Sequence, residues 1–98
     1  MRVSVDKRIE KILRNFSRPD RARIDKVVEL FLDKGFLLSE IHLKKLTRAI
    51  WELRAGRIRL LFGLVENEAI IVNAFIKKTA KTPLPEIRLA ERRLADYI

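Results

Sequence analysis

In the first third of the chain apolar residues recur at intervals of three and four. Ile9, Ile12, Leu13 and Phe16 fall on one side of a 3.6-residue period, and Lys7, Arg8, Lys11 and Arg14 fall on the others. That spacing predicts an amphipathic helix over residues 6–16. Ser17 can cap a second helix with Pro19 and Asp20 in its first turn, a buried stripe of Ile24, Val27, Val28 and Phe31, and an end at Gly35. Beyond Leu37 and Leu38, Ser39 can cap a short helical turn that runs to Leu46, carries His42, and ends with Lys44 and Lys45.

From Arg48 the period becomes two. Residues 48–54, 57–65 and 69–76 read as three strands of a meander, joined by Ala55-Gly56 and by Glu66-Asn67-Glu68. With a two-residue first turn, Trp51 faces Leu60, Leu53 faces Ile58, Glu52 faces Arg59 and Arg54 faces Arg57. With a three-residue second loop, Val72, Ala74 and Ile76 extend the apolar face, and Asn73, Phe75 and Lys77 join the arginines on the other. A last helix over residues 85–97 presents Ile87, Leu89, Ala90 and Leu94 inward and Arg88, Arg92 and Arg93 outward. The expected fold is α+β, an antiparallel sheet of three to four strands with the two N-terminal helices packed on one face and a C-terminal helix.

Composition narrows the function classes. At 98 residues and 48% hydrophobic content, with three glycines and three prolines, the chain is expected to form a single domain over residues 1–98. There is no cysteine and only one histidine, so a disulfide framework or a zinc cluster is not available. No apolar run is long enough for a membrane helix, and charges stand where a signal peptide needs its apolar centre, which points to the cytoplasm. The net charge of +9 gives the domain a positive field that attracts polyanions. Nucleic acid is the leading partner, and an acidic protein or an anionic membrane surface is also compatible.

Candidate chemistry concentrates where the strands end. In Phe75-Ile-Lys-Lys-Thr-Ala-Lys-Thr-Pro83, Lys77, Lys78 and Lys81 with the hydroxyls of Thr79 and Thr82 can surround a phosphate. The alternative is a solvated lysine-rich loop. The second sheet face gathers Glu52, Arg54, Arg57, Arg59, Asn73, Phe75 and Lys77, with Lys78 and Lys81 at its edge. Guanidinium groups grip phosphates and Phe75 can stack on a base, which suits single-stranded RNA better than a DNA groove. Glu52 and Arg59 also read as an ordinary cross-strand ion pair, and His42 as a surface residue.

Three segments together carry a family resemblance. Trp51-Glu-Leu-Arg54, Arg59-Leu-Leu-Phe62 and the run from Phe75 to Pro83, followed by a helix with Glu86, Ile87 and Ala90, resemble the HigB-like branch of the RelE/ParE toxin superfamily. The resemblance covers residues 19–97. It implies a toxin of a type II toxin–antitoxin module: an mRNA interferase, often ribosome-dependent, that inhibits translation and is neutralised by a cognate antitoxin, often a helix-turn-helix protein. It implies Arg54, Arg59, Lys77 and Lys78 as the catalytic cations, and Glu52 joins them as a candidate base. Arg57, Phe75, Lys81, Thr82, Lys44 and Lys45 would bind RNA. The implied reaction, attack of a ribose 2′-OH on the adjacent phosphorus, calls for neither metal nor cofactor. Family members open with a strand, which here only Val3-Ser-Val5 can supply. Two other readings remain compatible: a non-enzymatic gyrase inhibitor of the ParE type, and a degenerate module that only binds its antitoxin.

Overall fold

Two capping side chains set where the N-terminal helices begin. In the computed structural model, which describes residues 1–98, α1 (Lys7–Asn15) starts at Asp6, whose carboxylate accepts from the Arg8 backbone N–H at 2.8 Å. Helix α2 (Arg18–Lys34) starts at Ser17, whose hydroxyl accepts from the Asp20 N–H at 3.3 Å. It ends at Gly35, where φ is 55°, a conformation open to glycine because it has no Cβ. Single 3₁₀ turns follow at Gly35–Leu37 and, near the C-terminus, at Ala95–Tyr97.

The sheet has five strands: β1 (Arg2–Val5), β2 (Leu43–Lys45), β3 (Trp51–Ala55), β4 (Ile58–Val65) and β5 (Glu68–Ile76). Their order is β1-β5-β4-β3-β2, with β1 parallel to β5 and the other neighbours antiparallel. This corrects the expected antiparallel sheet of three to four strands at both edges. The Val3-Ser-Val5 segment does form a strand, placed parallel to β5 from Arg2 opposite Glu68 to Val5 opposite Ile71. Lys44 and Lys45 stand on an edge strand instead of in a helical turn, because burying Leu43 opposite Leu53 requires extended backbone there.

Both hairpins depart from the expected register in ways that preserve the faces. The first turn is Gly56-Arg57, with Gly56 at φ 61°, so Ala55 pairs with Ile58, Arg54 with Arg59, Leu53 with Leu60 and Trp51 with Phe62. The slip amounts to two residues, and an even slip returns every side chain to its own face. The second turn is Glu66-Asn67, with Val65 opposite Glu68, one residue shorter than expected. A β-bulge at Leu61/Phe62 takes up that residue, so Leu61 faces Asn73 and Arg59 faces Phe75. Ala74 and Ile76 therefore share a face with Leu60 and Ile58, but Val72, expected beside them, turns to the opposite side with Ile70. Arg93, expected to point outward, donates to the Val72 carbonyl at 3.0 Å. Asn73 donates to the Glu86 carbonyl at 3.1 Å and accepts from the Ala74 N–H at 2.9 Å, so the polar groups around the bulge are satisfied.

Each face of the sheet carries its own core. On one, Ile9 of α1 and Ile24, Val27 and Phe31 of α2 pack on Leu53, Leu60, Phe62 and Ile71. On the other, Ala90 and Leu94 of α3 (Leu84–Leu94) pack on Ile50, Leu61, Ile70 and Val72. Gly63 lets α3 approach this closely: a Cβ there would lie 2.3 Å from Leu94 Cδ2. No helix is long and apolar enough to cross a membrane.

Two buried carboxylates tie the elements together. Asp6, 2% exposed, accepts from the Arg8 guanidinium at 2.9 and 2.7 Å and from the Tyr97 hydroxyl at 2.7 Å, which fastens the C-terminal turn to the start of α1. Asp20 takes both Nε and Nη2 of Arg57, at 3.1 and 2.8 Å, and so pins the β3–β4 turn to α2. The hydrogen bonds from Arg8 hold the Asp6 carboxyl well below the usual aspartate range, and those from Arg57 lower that of Asp20, in each case against the opposing effect of burial.

Gly63→Ala is expected to lower stability by about 1–3 kcal/mol through overpacking against Leu94, measured by thermal or denaturant unfolding. Asp6→Asn is expected to cost about 2 kcal/mol at pH 7. Because the folded-state pKa of Asp6 is depressed, its contribution is complete above about pH 4 and is lost as the pH falls further. The stability gap between wild type and Asp6→Asn should therefore narrow below about pH 4; a gap independent of pH would remove the ionised Asp6 as its source.

Candidate nucleic-acid interface

Helix α3 packs on β4 and β5, and the β3–β2 side of the same sheet face stays uncovered. A cleft of about 300 Å³ opens there. Its floor is Glu52 and Arg54 of β3, Arg59 of β4 and Phe75 of β5. One wall is β2 with Lys44, Lys45 and the following Leu46, and the other is the loop of Lys77, Lys78, Thr79, Ala80, Lys81 and Thr82. Pro83 and Ile87, at the start of α3, close the end. Alternation along the strands does the sorting: the residues between those that feed the α1/α2 core must emerge on this face.

Glu52 is fully buried in the middle of this floor. Its Oε1 accepts from Arg54 Nε at 3.0 Å and lies 4.0 Å from Arg59 Nε, while Oε2 accepts from the Thr82 hydroxyl. A carboxylate withdrawn from water must be paired and hydrogen-bonded, and here both oxygens are engaged. The expected Glu52–Arg59 pair is thus a longer diagonal contact, since Glu52 stands opposite Leu61 and its principal partner is Arg54 on its own strand.

The two floor arginines are held differently. Arg54 commits only Nε to Glu52, and its terminal nitrogens make no hydrogen bond within the chain. Arg59, with 11% of its side chain exposed, donates through Nη1 to the carbonyls of Gly56 at 2.7 Å and Ile58 at 3.1 Å. Burial draws the Arg59 guanidinium below the ordinary arginine value, Glu52 opposes this, and the neighbouring Arg54 charge adds to it. An incoming phosphate would relieve the crowding of these two cations. Half-buried Phe75 lies opposite Arg59 and, like Ile87 and Leu46, packs against the α3 core.

Of the residues expected to form the site, Glu52, Arg54, Arg59, Phe75, Lys77, Lys78, Lys81, Thr82 and Lys44 come together here. Arg57 does not. The shifted turn puts it at the hairpin tip with its guanidinium on Asp20, which holds it above the ordinary arginine value, and only its carbonyl reaches the site by accepting from the Lys77 N–H at 2.7 Å. Lys45 borders the cleft through its strand, but it stands opposite Trp51 with Nζ 5.3 Å from that ring, so its charge lies toward the α2 side. His42 lies outside the cleft, and Asn73, expected among the arginines, is buried against α3. The sequence did not mark the Thr82–Glu52 bond, because a hydroxyl in a polar loop gives no signal of which carboxylate it meets. No three His, Cys, Asp or Glu side chains converge anywhere in the chain, so the cleft offers cations, hydroxyls and one committed carboxylate.

Comparison with known proteins agrees with this architecture. The family model of phage-derived Gp49-like proteins (DUF891) matches residues 11–95, and the chain belongs to that family. No curated protein matches it in sequence. Among solved structures, the fold is similar to that in the archaeal RelE–RelB complex from Pyrococcus horikoshii, with TM-score 0.64 and 15% identity over 81% of this chain and 97% of that one. It is also similar to the isolated Escherichia coli RelE toxin, with TM-score 0.62 and 12% identity over 99% and 98% of the two chains. The toxin of the Methanococcus jannaschii RelB–RelE complex gives TM-score 0.58 and 16% identity over 96% of each chain. The fold is RelE-like.

Glu52→Ala is expected to destabilise the protein by about 3 kcal/mol, because it leaves Arg54 and Arg59 side by side without their shared counter-charge. Chemical denaturation checks this, and an unchanged midpoint would show that the carboxylate carries no structural load.

Proposed function

We propose that this member of the Gp49-like family is the toxin of a type II toxin–antitoxin module, of the HigB-like branch of the RelE/ParE superfamily, and that it inhibits translation by cutting mRNA at the ribosome. The observation that carries the reading is the charge of the cleft, where six lysines and arginines (Lys44, Arg54, Arg59, Lys77, Lys78 and Lys81) meet a single carboxylate already committed to two of them. Such a surface fits the phosphodiester backbone of a single strand, and Phe75 offers a face for one base.

The chemistry follows from where the cations stand. The ribose 2′-oxygen attacks the adjacent phosphorus, the bond from phosphorus to the 5′-oxygen breaks, and the products are a 2′,3′-cyclic phosphate and a 5′-hydroxyl. The 2′-OH proton passes to solvent water as the new bond forms, and solvent water returns one to the departing 5′-oxygen. Charge gathers on the non-bridging oxygens, and Arg54, Arg59, Lys77 and Lys78 stabilise it; one such preorganised donor is worth about 10²–10³ in rate. Glu52 keeps the arginines aimed and does not act as the base, since both its oxygens are occupied. Orientation of the 2′-OH in line with the scissile bond supplies the rest. A cognate antitoxin, a helix-turn-helix or acidic protein, would cover part of this positive surface. The fold's similarity to toxins crystallised with antitoxins supports such a partner.

On induced expression, new 5′ ends should appear within translated mRNA and growth should stop. Arg59→Ala and Lys78→Ala should each remove the arrest, with a loss of about 10²-fold or more in cleavage, while circular dichroism shows a folded protein. Intact mRNA together with gyrase-dependent DNA damage would replace the nuclease with the gyrase-inhibitor reading, and full toxicity of the double mutant would remove both residues from the mechanism.

A further inference from the structure

The segment that walls the cleft is fastened to the body at few points. The Lys77 N–H bonds the Arg57 carbonyl at 2.7 Å, and at the other end the Pro83 carbonyl accepts from the Glu86 N–H at 3.1 Å as α3 begins. Between them, residues 78–81 are exposed, and the bond from the Thr79 hydroxyl to the Lys81 carbonyl at 2.6 Å is internal to the loop. One hydrogen bond joins this stretch to the sheet: the Thr82 hydroxyl donating to Glu52 Oε2. Its acceptor is the fully buried carboxylate that also holds Arg54 and contacts Arg59.

We propose that Thr82 is a positioning residue, a latch that holds the lysine loop over the cleft through Glu52. A hydroxyl donating to a carboxylate makes a stronger bond than one between neutral groups, and this carboxylate has no freedom of its own, since strand packing and Arg54 fix it. The same anion therefore sets the floor arginines and the wall lysines relative to each other. Releasing the hydroxyl leaves five residues tethered only at their ends, and Lys78 and Lys81 lose their fixed distance from Arg54 and Arg59. Whether that distance serves RNA cleavage rests on the nuclease reading above; the latch itself does not.

The test compares Thr82→Val, which keeps the branched shape without the donor, with Thr82→Ser, which keeps the donor. Backbone ¹⁵N relaxation of residues 78–82, measured without RNA, should show order parameters near about 0.85 in wild type and Thr82→Ser, falling toward about 0.6 in Thr82→Val. Cleavage of ribosome-bound mRNA should fall about tenfold to a hundredfold in Thr82→Val and return with serine, with both variants folded by circular dichroism at the assay temperature. Equal loop order in wild type and Thr82→Val, or serine as impaired as valine, overturns the latch. Normal latch behaviour in a wild-type protein that cuts no RNA keeps the latch and overturns the nuclease reading.

Discussion

A five-stranded sheet has two faces to cover, and this chain has helix enough for about one and a half. Helices α1 and α2 close one side, while α3, eleven residues long, packs mainly on β4 and β5 on the other. The candidate cleft stands on the strip they leave. Apolar side chains there would have been exposed, so that strip carries Glu52, Arg54 and Arg59 where the neighbouring strip carries Ile50, Leu61, Ile70 and Val72. The boundary between the two runs through Phe75, Ile87 and Leu46, apolar on one side and facing cations on the other.

Cations crowded on one strip repel each other, and the protein answers with one buried carboxylate in place of several exposed ones. Glu52 resembles Asp6 and Asp20 in this respect: each is nearly inaccessible, each meets an arginine, and each joins segments distant in the sequence. The difference lies in what the arginine has left to give. Arg57 spends both Nε and Nη2 on Asp20 and becomes a structural strut, whereas Arg54 spends Nε alone. Two arginines three positions apart, alike in composition and charge, thus have opposite availability for a phosphate.

That distinction marks the limit of what the chain disclosed before its structure. The helix cap at Ser17, the buried stripes and the faces of β3 and β4 follow from local chemistry and from alternation, and they emerged as the pattern predicts. Arg57 was misplaced because turn position depends on which residue takes the left-handed conformation. Gly56 takes it as the first residue of the turn instead of the second. The edges were harder still: β1 pairs with a strand more than sixty positions away, and β2 is three residues whose extension is decided by Leu43 reaching the core. Such pairings are tertiary choices, and short segments carry little record of them.

Phe75 and Asn73 lie on the face that simple alternation predicts, although the turn before β5 is one residue shorter than that alternation requires. The two-residue turn leaves β5 one residue behind the pairing that a three-residue loop predicts, and the chain restores it with Val72 as the extra residue of a bulge in β5, opposite Leu61 and Phe62. Bulges re-aim side chains, and this one divides β5 into two functional halves. Before it, Ile70 serves the α3 core; at it, Val72 joins that core while its carbonyl accepts from Arg93 and Asn73 donates to the Glu86 carbonyl; after it, Phe75 stands opposite Arg59. Without the extra residue the odd-numbered end of β5 would reverse its faces, and Phe75 would enter the α1/α2 core while Ile76 stood beside the arginines. The cleft therefore depends on the α3 side of the sheet for its register as well as for its wall.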